Sequence, residues 1–277
     1  MWLRIEHTTT FSYDEPVSEA YTELRLRPLD SSGFRVCSAA GGQRCSSFRL
    51  SIDPGSPPVR EYANRFGNEV RWFDILEPHD RLVVVATSEV FTPPSFVDDE
   101  RELSPFNRHD YLMPTRYVQL DYALRDFASA RSADGDVEKE ALSLMEAVRS
   151  ALTYESGATD VHTRVEEVLE LGRGVCQDFS HVLIAACRAR GIPARYVSGY
   201  LYDPEVADGE SESHAWVDVF TASRGWISLD PTHGREQNEH YVRLAVGRDY
   251  GDVPPTKGVY KGNASEKLDV VVSIEAL

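Results

Sequence analysis

A chain of 277 residues is long enough for two ordinary domains or one large one. With 42% apolar and 27% charged residues it has the balance of a folded globular protein, not of a disordered one. The net charge of −16 repels phosphate backbones and anionic lipid, which argues against nucleic-acid and membrane-surface binding.

The first residues, MWLRIEHTTTFSYDEP, lack the apolar stretch of a signal peptide, and no later run has the length of about 20 apolar residues that a bilayer span needs. A cytoplasmic location is the expectation. Four cysteines fit a reducing compartment, so Cys37 and Cys45 are read as free thiols in or beside a Gly/Ser-rich loop, although their spacing would permit a bridge.

Residues 1–95 read as a β-rich N-terminal domain. LRIEHTTTFSY, TELRLRP, SSFRLSI, NEVRWFDI and RLVVVATSEVF alternate apolar with polar residues or are β-branched, and Pro, Gly, Asp and Ser groups separate them. Several short strands at this spacing predict a sandwich-like layered sheet. Residues 96–115, with three prolines in TPPSFVDDERELSPF nearby, read as a linker or surface excursion. Residues 116–277 then form a second, mixed domain that opens with helices. Val137, Ala141, Leu144, Val148 and Leu152 recur at helical spacing and predict one buried stripe. Thr163 and Glu166 make a capping-box pattern ahead of VEEVLEL, which Gly172 ends.

The segment GRGVCQDFSHVLIAACRARGIPARYVSGY carries the chemistry. Gly172 and Gly174 let the backbone turn sharply just before Cys176, and Phe179, Val182, Leu183 and Ala186 fall on one helical face until Gly191 and Pro193. Cys176 therefore starts a helix, where unpaired amides and the helix dipole favour a thiolate and can hold an oxyanion. Asp178 complements the same helix end, and Gln177 is a second candidate oxyanion donor. Cys187, 11 residues further on, lies about 16 Å along the helix and reads as packing.

A thiolate nucleophile needs a proton carrier. SHAWVDVF and RGWISLDP read as consecutive strands, with His214, Trp216 and Asp218 on one face and Trp226, Ser228 and Asp230 on a common face. A three-residue loop at 221–223 would pair Phe220 with Arg224 and set His214 directly opposite Asp230, with Cβ atoms about 4.5–5.5 Å apart. The carboxylate could then hold one imidazole nitrogen and leave the other for the thiol. Trp216 and Tyr200 are candidates to wall a substrate groove, with core packing as the alternative.

The ordered blocks GVCQDFSHVLIAACRARGIPARYVSGYL, SHAWVDVF and GWISLDPTHG, followed by LAVGRDYGDVPPTKGVYKG, resemble bacterial transglutaminase-like proteins, and the β-rich N-terminal part resembles the N-terminal domain of one bacterial subgroup. The resemblance covers nearly the whole chain. It implies an α+β fold with a papain-like core, in which the helix bearing the cysteine packs on an antiparallel sheet. It also implies a catalytic triad of Cys176, His214 and Asp230 that acts on amides through an acyl-enzyme. His233 departs from the subgroup, which carries Asn or another polar residue after DPT.

The expected substrate is a protein or peptide, with glutamine or asparagine side chains as candidates. Hydrolysis and transfer to an amine use the same three groups and stay open. A non-catalytic peptide-binding module that retains the cleft is the alternative, and assembly into a larger modification complex is another. Without HExxH or paired CxxC spacing among the eight histidines and four cysteines, no metal or other cofactor is expected. Oligomeric state is not legible.

Overall fold

A computed structural model describes residues 1–30, 42–96, 100, 102–129, 135–204, 210–211 and 213–277. Among the described residues of the first third of the chain lie five strands: β1 (Trp2–Leu24), β2 (Arg44–Asp53), β3 (Arg60–Ala63), β4 (Glu69–Ile75) and β5 (His79–Phe91). The alternation in β1 is visible as burial, since Leu3, Ile5, His7, Thr9 and Phe11 point inward while Arg4 and Glu6 face out. The strand is too long for one flat ladder. Residues 2–12 pair with β5, the register then shifts, and Ala20–Leu24 pair with β4. Phe11, Leu24, Ile52, Phe73, Ile75, Leu82 and Val84, drawn from both halves of this arrangement, share one core, which is the layered sheet that the alternating segments predict. Cys45 is a free thiol; Cys37 lies outside the described residues.

The 96–115 segment is more than a surface excursion. Ser104 caps a helix, α1 (Pro105–Asp110), by accepting from the Asn107 amide at 3.1 Å. Leu103 and Tyr111 on either side of it are buried against Phe220 and Trp226. Residues 97–99 and 101 of this segment lie outside the described residues.

Helices α2 (Tyr122–Ser129), α3 (Val137–Ala151) and α4 (Val165–Leu171) follow, with β6 (Thr153–Tyr154) and β7 (Arg173–Gly174) as a short parallel pair that leads into α5 (Cys176–Ala189). In α3 the predicted stripe is buried at Ala141, Leu144, Val148 and Leu152, whereas Val137 is exposed in the first turn. The N-cap of α4 is Arg164 rather than Thr163: the Glu167 carboxylate accepts from the Arg164 amide, and the Thr163 hydroxyl is engaged by the Asp160 amide instead. Gly172 ends α4 in the left-handed conformation, at φ 64°.

Strands β8 (Ala194–Leu201), β9 (Glu210–Ser211), β10 (Ser213–Thr221), β11 (Gly225–Asp230), β12 (Arg235–Glu236), β13 (Tyr241–Gly247), β14 (Thr256–Lys261) and β15 (Glu266–Ala276) complete the chain. Five of them form an antiparallel sheet in the order β12-β11-β10-β8-β13. Helix α5 packs on β8 and β10, and α2, α3 and α4 cover its other sides. That placement explains why every residue from Asp178 to Arg188 is buried and why the helix is apolar nearly all round. The guanidinium of Arg188 fixes the far end of α5 by donating to the carbonyls of Tyr111, Met113, Ala194 and Arg248.

The last two strands do not stay with this sheet. β15 pairs with β1 from Leu3↔Ala276 to Tyr13↔Glu266, and β14 pairs with the second half of β1. Sheet membership therefore departs from the 116–277 boundary, because the alternating EKLDVVVSIEA segment completes the N-terminal sheet. This return brings that sheet over the start of α5.

Candidate active site

The site forms where α5 begins. Gly174 approaches the Asp178 side chain so closely that a Cβ there would lie 2.5 Å from a carboxylate oxygen. The same oxygen accepts from the Val175 amide at 2.7 Å and the Thr159 hydroxyl at 2.6 Å. Asp178 is thus the cap of its own helix, and it fixes the turn that presents Cys176. Burial pushes the Asp178 carboxyl up, against the pull of those two hydrogen bonds. As the first two residues of α5, Cys176 and Gln177 have amides without intrahelical partners.

His214 stands on β10 and Asp230 at the end of β11. The hairpin loop lies one residue later than the sequence expectation, which moves each pairing partner by two residues and so keeps Asp230 on the same face. Phe220 pairs with Trp226 and Thr221 with Gly225, so the loop is 222–224. The Thr221 side chain closes it, accepting from the Arg224 amide and donating to the Gly225 carbonyl, and Gly225 takes φ 75°. Continued outward, this register sets Asp230 opposite Trp216, and His214 becomes its diagonal neighbour. Diagonal pairs on one face remain within reach of long side chains, and His214 Nε2 lies 2.8 Å from Asp230 Oδ2. The predicted partners meet, by a different register.

Asp230 is fully buried and heavily solvated by protein. Its Oδ2 also receives Nδ1 of His233 at 2.8 Å and the Tyr241 hydroxyl at 2.6 Å, while Oδ1 accepts the amides of Thr232 and His233. Burial opposes its ionisation, but the hydrogen bonds and charges of His214 and His233 outweigh burial and hold the carboxyl far below its usual range. For His214, burial favours the neutral ring, yet Asp230 and then Cys176 overcome it through hydrogen bonds and charge, lifting the imidazole well above its ordinary value. Cys176 lines the same cleft as that ring. A ring held at Nε2 by a buried carboxylate keeps its other nitrogen for a thiol, which is the arrangement that moves a proton to and from a nucleophile.

Behind His214 lies a polar cluster that the sequence reading did not identify. Asp218, fully buried, is paired with both Arg195 and Arg243. Ser228 donates to Asp218 at 2.8 Å and accepts from Trp216 Nε1 at 2.9 Å. Trp216 stacks on His214 with ring centroids 6.0 Å apart. Trp216 and Tyr200 are therefore core residues, not groove walls; the Tyr200 hydroxyl meets His7 Nδ1 at 2.9 Å. Tyr196 and Tyr250 line the cleft instead.

The cleft at Cys176 has a volume of about 410 Å³ and is bounded by Gln177, His214 and Tyr154 on the core side and by His7, Leu268 and Val270 of β1 and β15 on the other. Cys176 is half-buried at its floor, whereas Cys187 is wholly buried and its thiol is pushed up to about 12 by burial. His214, Asp230 and His233 are also the one candidate metal-ligand group among the described residues, with donor atoms within 4.8 Å of one another. Their mutual hydrogen bonds account for that clustering without an ion.

A cysteine-bearing helix packed on an antiparallel sheet that carries a histidine and an aspartate defines the papain-like, transglutaminase-like class of fold. Residues 125–231 match the transglutaminase-like superfamily core and residues 3–91 match the bacterial transglutaminase-like N-terminal region. The chain belongs to the transglutaminase-like superfamily, in the bacterial form that joins these two regions. It is 34% identical to an uncharacterized protein of Mycobacterium leprae over all of both chains. An uncharacterized protein of Mycobacterium tuberculosis is 31% identical, over 98% of this chain and 91% of that protein. A protein-glutamine gamma-glutamyltransferase of Pseudomonas aeruginosa is 28% identical over 123 residues, 40% of this chain and 18% of that protein. A crystal structure of a candidate cysteine protease from Cytophaga hutchinsonii superposes with a TM-score of 0.79 at 23% identity, over 100% of this chain and 91% of the other, a likeness of fold.

Proposed function

We propose that this protein is a cysteine-dependent enzyme that acts on amide bonds of a protein or peptide through a thioester acyl-enzyme. The observation that carries the reading is the convergence of Cys176 and His214 on one open cleft, with His214 Nε2 bonded to buried Asp230 at 2.8 Å. Cys176 attacks the amide carbonyl and His214 takes up the thiol proton. The same imidazolium then protonates the leaving amine, and Asp230 keeps the ring oriented and stabilises its charge. The free amides at the start of α5 are placed to receive the oxyanion. Water as second nucleophile gives hydrolysis; a primary amine gives transfer.

Superfamily membership supports cysteine chemistry, and the named activity of the Pseudomonas aeruginosa relative makes glutamine side chains the first acyl donors to offer. A binding-only role would be favoured by a Cys176 side chain buried away from His214; both instead line one cleft, which favours catalysis. The test is mass spectrometry of glutamine- and asparagine-containing peptides incubated with the enzyme, with and without a primary amine. An amine adduct identifies transfer, a deamidated side chain identifies amidase action, and a cut backbone identifies a protease. Products that persist in Cys176→Ala, or no Cys176-dependent product from any peptide, would contradict the reading.

A further inference from the structure

β15 presents two different environments along one face. Val272 and Ile274 are 3% and 2% exposed, packed against Leu244, Val242 and Tyr200. Leu268 and Val270, on the same face four and two residues before Val272, are 48% and 45% exposed. The core falls away beneath these two residues and the Cys176 cleft opens there, so that both line it. Apolar side chains left uncovered directly over a reactive group mark a surface that a ligand completes.

The charge of the cleft narrows the choice of ligand. On a chain of net charge −16, the described residues lining the cleft include no Asp, Glu, Lys or Arg. His7, the β1 residue that lines the cleft, is bonded to Tyr200 and to the Thr9 hydroxyl, and burial pulls its imidazole down to about 4, so it is neutral at pH 7. The charge of His214 is already matched by Asp230, so a charged side chain entering beside Leu268 and Val270 would lose water and find no unpaired counter-charge among the described lining residues, whereas an apolar one would gain from burial.

We infer that the N-terminal sheet forms part of the substrate site, and that Leu268 and Val270 are specificity-determining contacts for an uncharged, apolar residue beside the amide under attack. The inference rests on the reading of Cys176 as nucleophile. It gives the return of β15 to the N-terminal sheet a role in recognition, because that return carries both residues across to the catalytic cleft.

The test uses full-length protein and peptide probes in which a thiol-reactive diazoketone analogue replaces glutamine, flanked by Leu or Phe in one set and by Asp or Lys in the other. Covalent mass gain at Cys176 is followed over time, with iodoacetamide as a small reagent that needs no flanking contact. Apolar-flanked probes are expected to react at least about tenfold faster than charged ones. Leu268→Asp and Val270→Asp should each erase most of that preference, with each variant's probe rates taken relative to its own iodoacetamide rate. Val259→Asp, a change at an exposed position of β14 outside the cleft lining, should leave both the preference and the iodoacetamide rate unchanged. A preference that survives Leu268→Asp and Val270→Asp, equal rates for both probe sets, or iodoacetamide labelling with no reaction from any probe would overturn the inference. If Cys176 resists iodoacetamide as well, the nucleophile assignment itself has failed and this inference falls with it.

Discussion

Asp230 holds Nε2 of His214 at 2.8 Å from a diagonal position on the neighbouring strand, with Trp216 occupying the place directly opposite the carboxylate. The aspartate therefore reaches along the pleat to the imidazole, and Trp216 supports the ring from the side. The consequence is a histidine whose charged form is favoured by two partners at once.

Activity should consequently extend to alkaline pH. The alkaline limb of kcat/KM reports loss of the His214 proton, and it is expected well above the ordinary imidazole value of 6.5. Asp230→Asn removes the main opposing charge, so that limb should move down and kcat should fall by about 10²–10⁴. An unchanged limb in Asp230→Asn would show that the pair does not govern the titration.

The same shifts appear in stability. His214, raised on folding, contributes fully below its unfolded value of 6.5, and that contribution is lost as pH rises through the folded value. Asp230, lowered on folding, contributes above its unfolded value of 3.8 and loses the contribution as pH falls. Asp230→Asn should therefore depress Tm most between about pH 4 and 6.5. Thermal melts across pH 3–9 check the sign.

His233 adds a second imidazole to the same oxygen of Asp230, 5.3 Å from His214 between ring centroids. Removing it frees acceptor capacity on Asp230 and takes away any positive charge beside His214; both effects strengthen the hold on the His214 proton. His233→Ala should move the alkaline limb upward with kcat at neutral pH changed by less than about tenfold. A downward shift would show that His233 supports the pair in another way.

Asp218 is fully buried between Arg195 and Arg243. Arg243→Met should destabilise by about 3–5 kcal/mol, because it leaves Asp218 short of a partner in the interior. Urea unfolding measures the loss. A cost below about 1 kcal/mol would mean that the cluster is more hydrated than its burial indicates.

Much of the site is legible because local rules fix it. Glycines before Cys176, the helix that follows and the two strands carrying His214 and Asp230 all follow from spacing and periodicity. The two-residue change of partner in the hairpin comes from the Thr221 side chain, which closes the loop one position later than strand length alone suggests. Tyr241 and the Arg195–Asp218–Arg243 cluster were not legible, since polar residues within strands reveal their partners only once distant strands are adjacent. The pairing of β15 with β1, residues more than 250 positions apart, is non-local in the same way. His233, which departs from the subgroup pattern, has a side chain 42% exposed, yet its Nδ1 is committed to Asp230, a bond that the sequence does not reveal.

The role of Cys176 as the nucleophile is tested most directly by alkylation with iodoacetamide. Peptide mapping after brief treatment at pH 7 should place nearly all label on Cys176, with Cys187 protected by burial, and His214→Gln should slow that labelling by about tenfold or more. Equal labelling of Cys37, Cys45 and Cys176, or a Cys176 rate indifferent to His214→Gln, would contradict it.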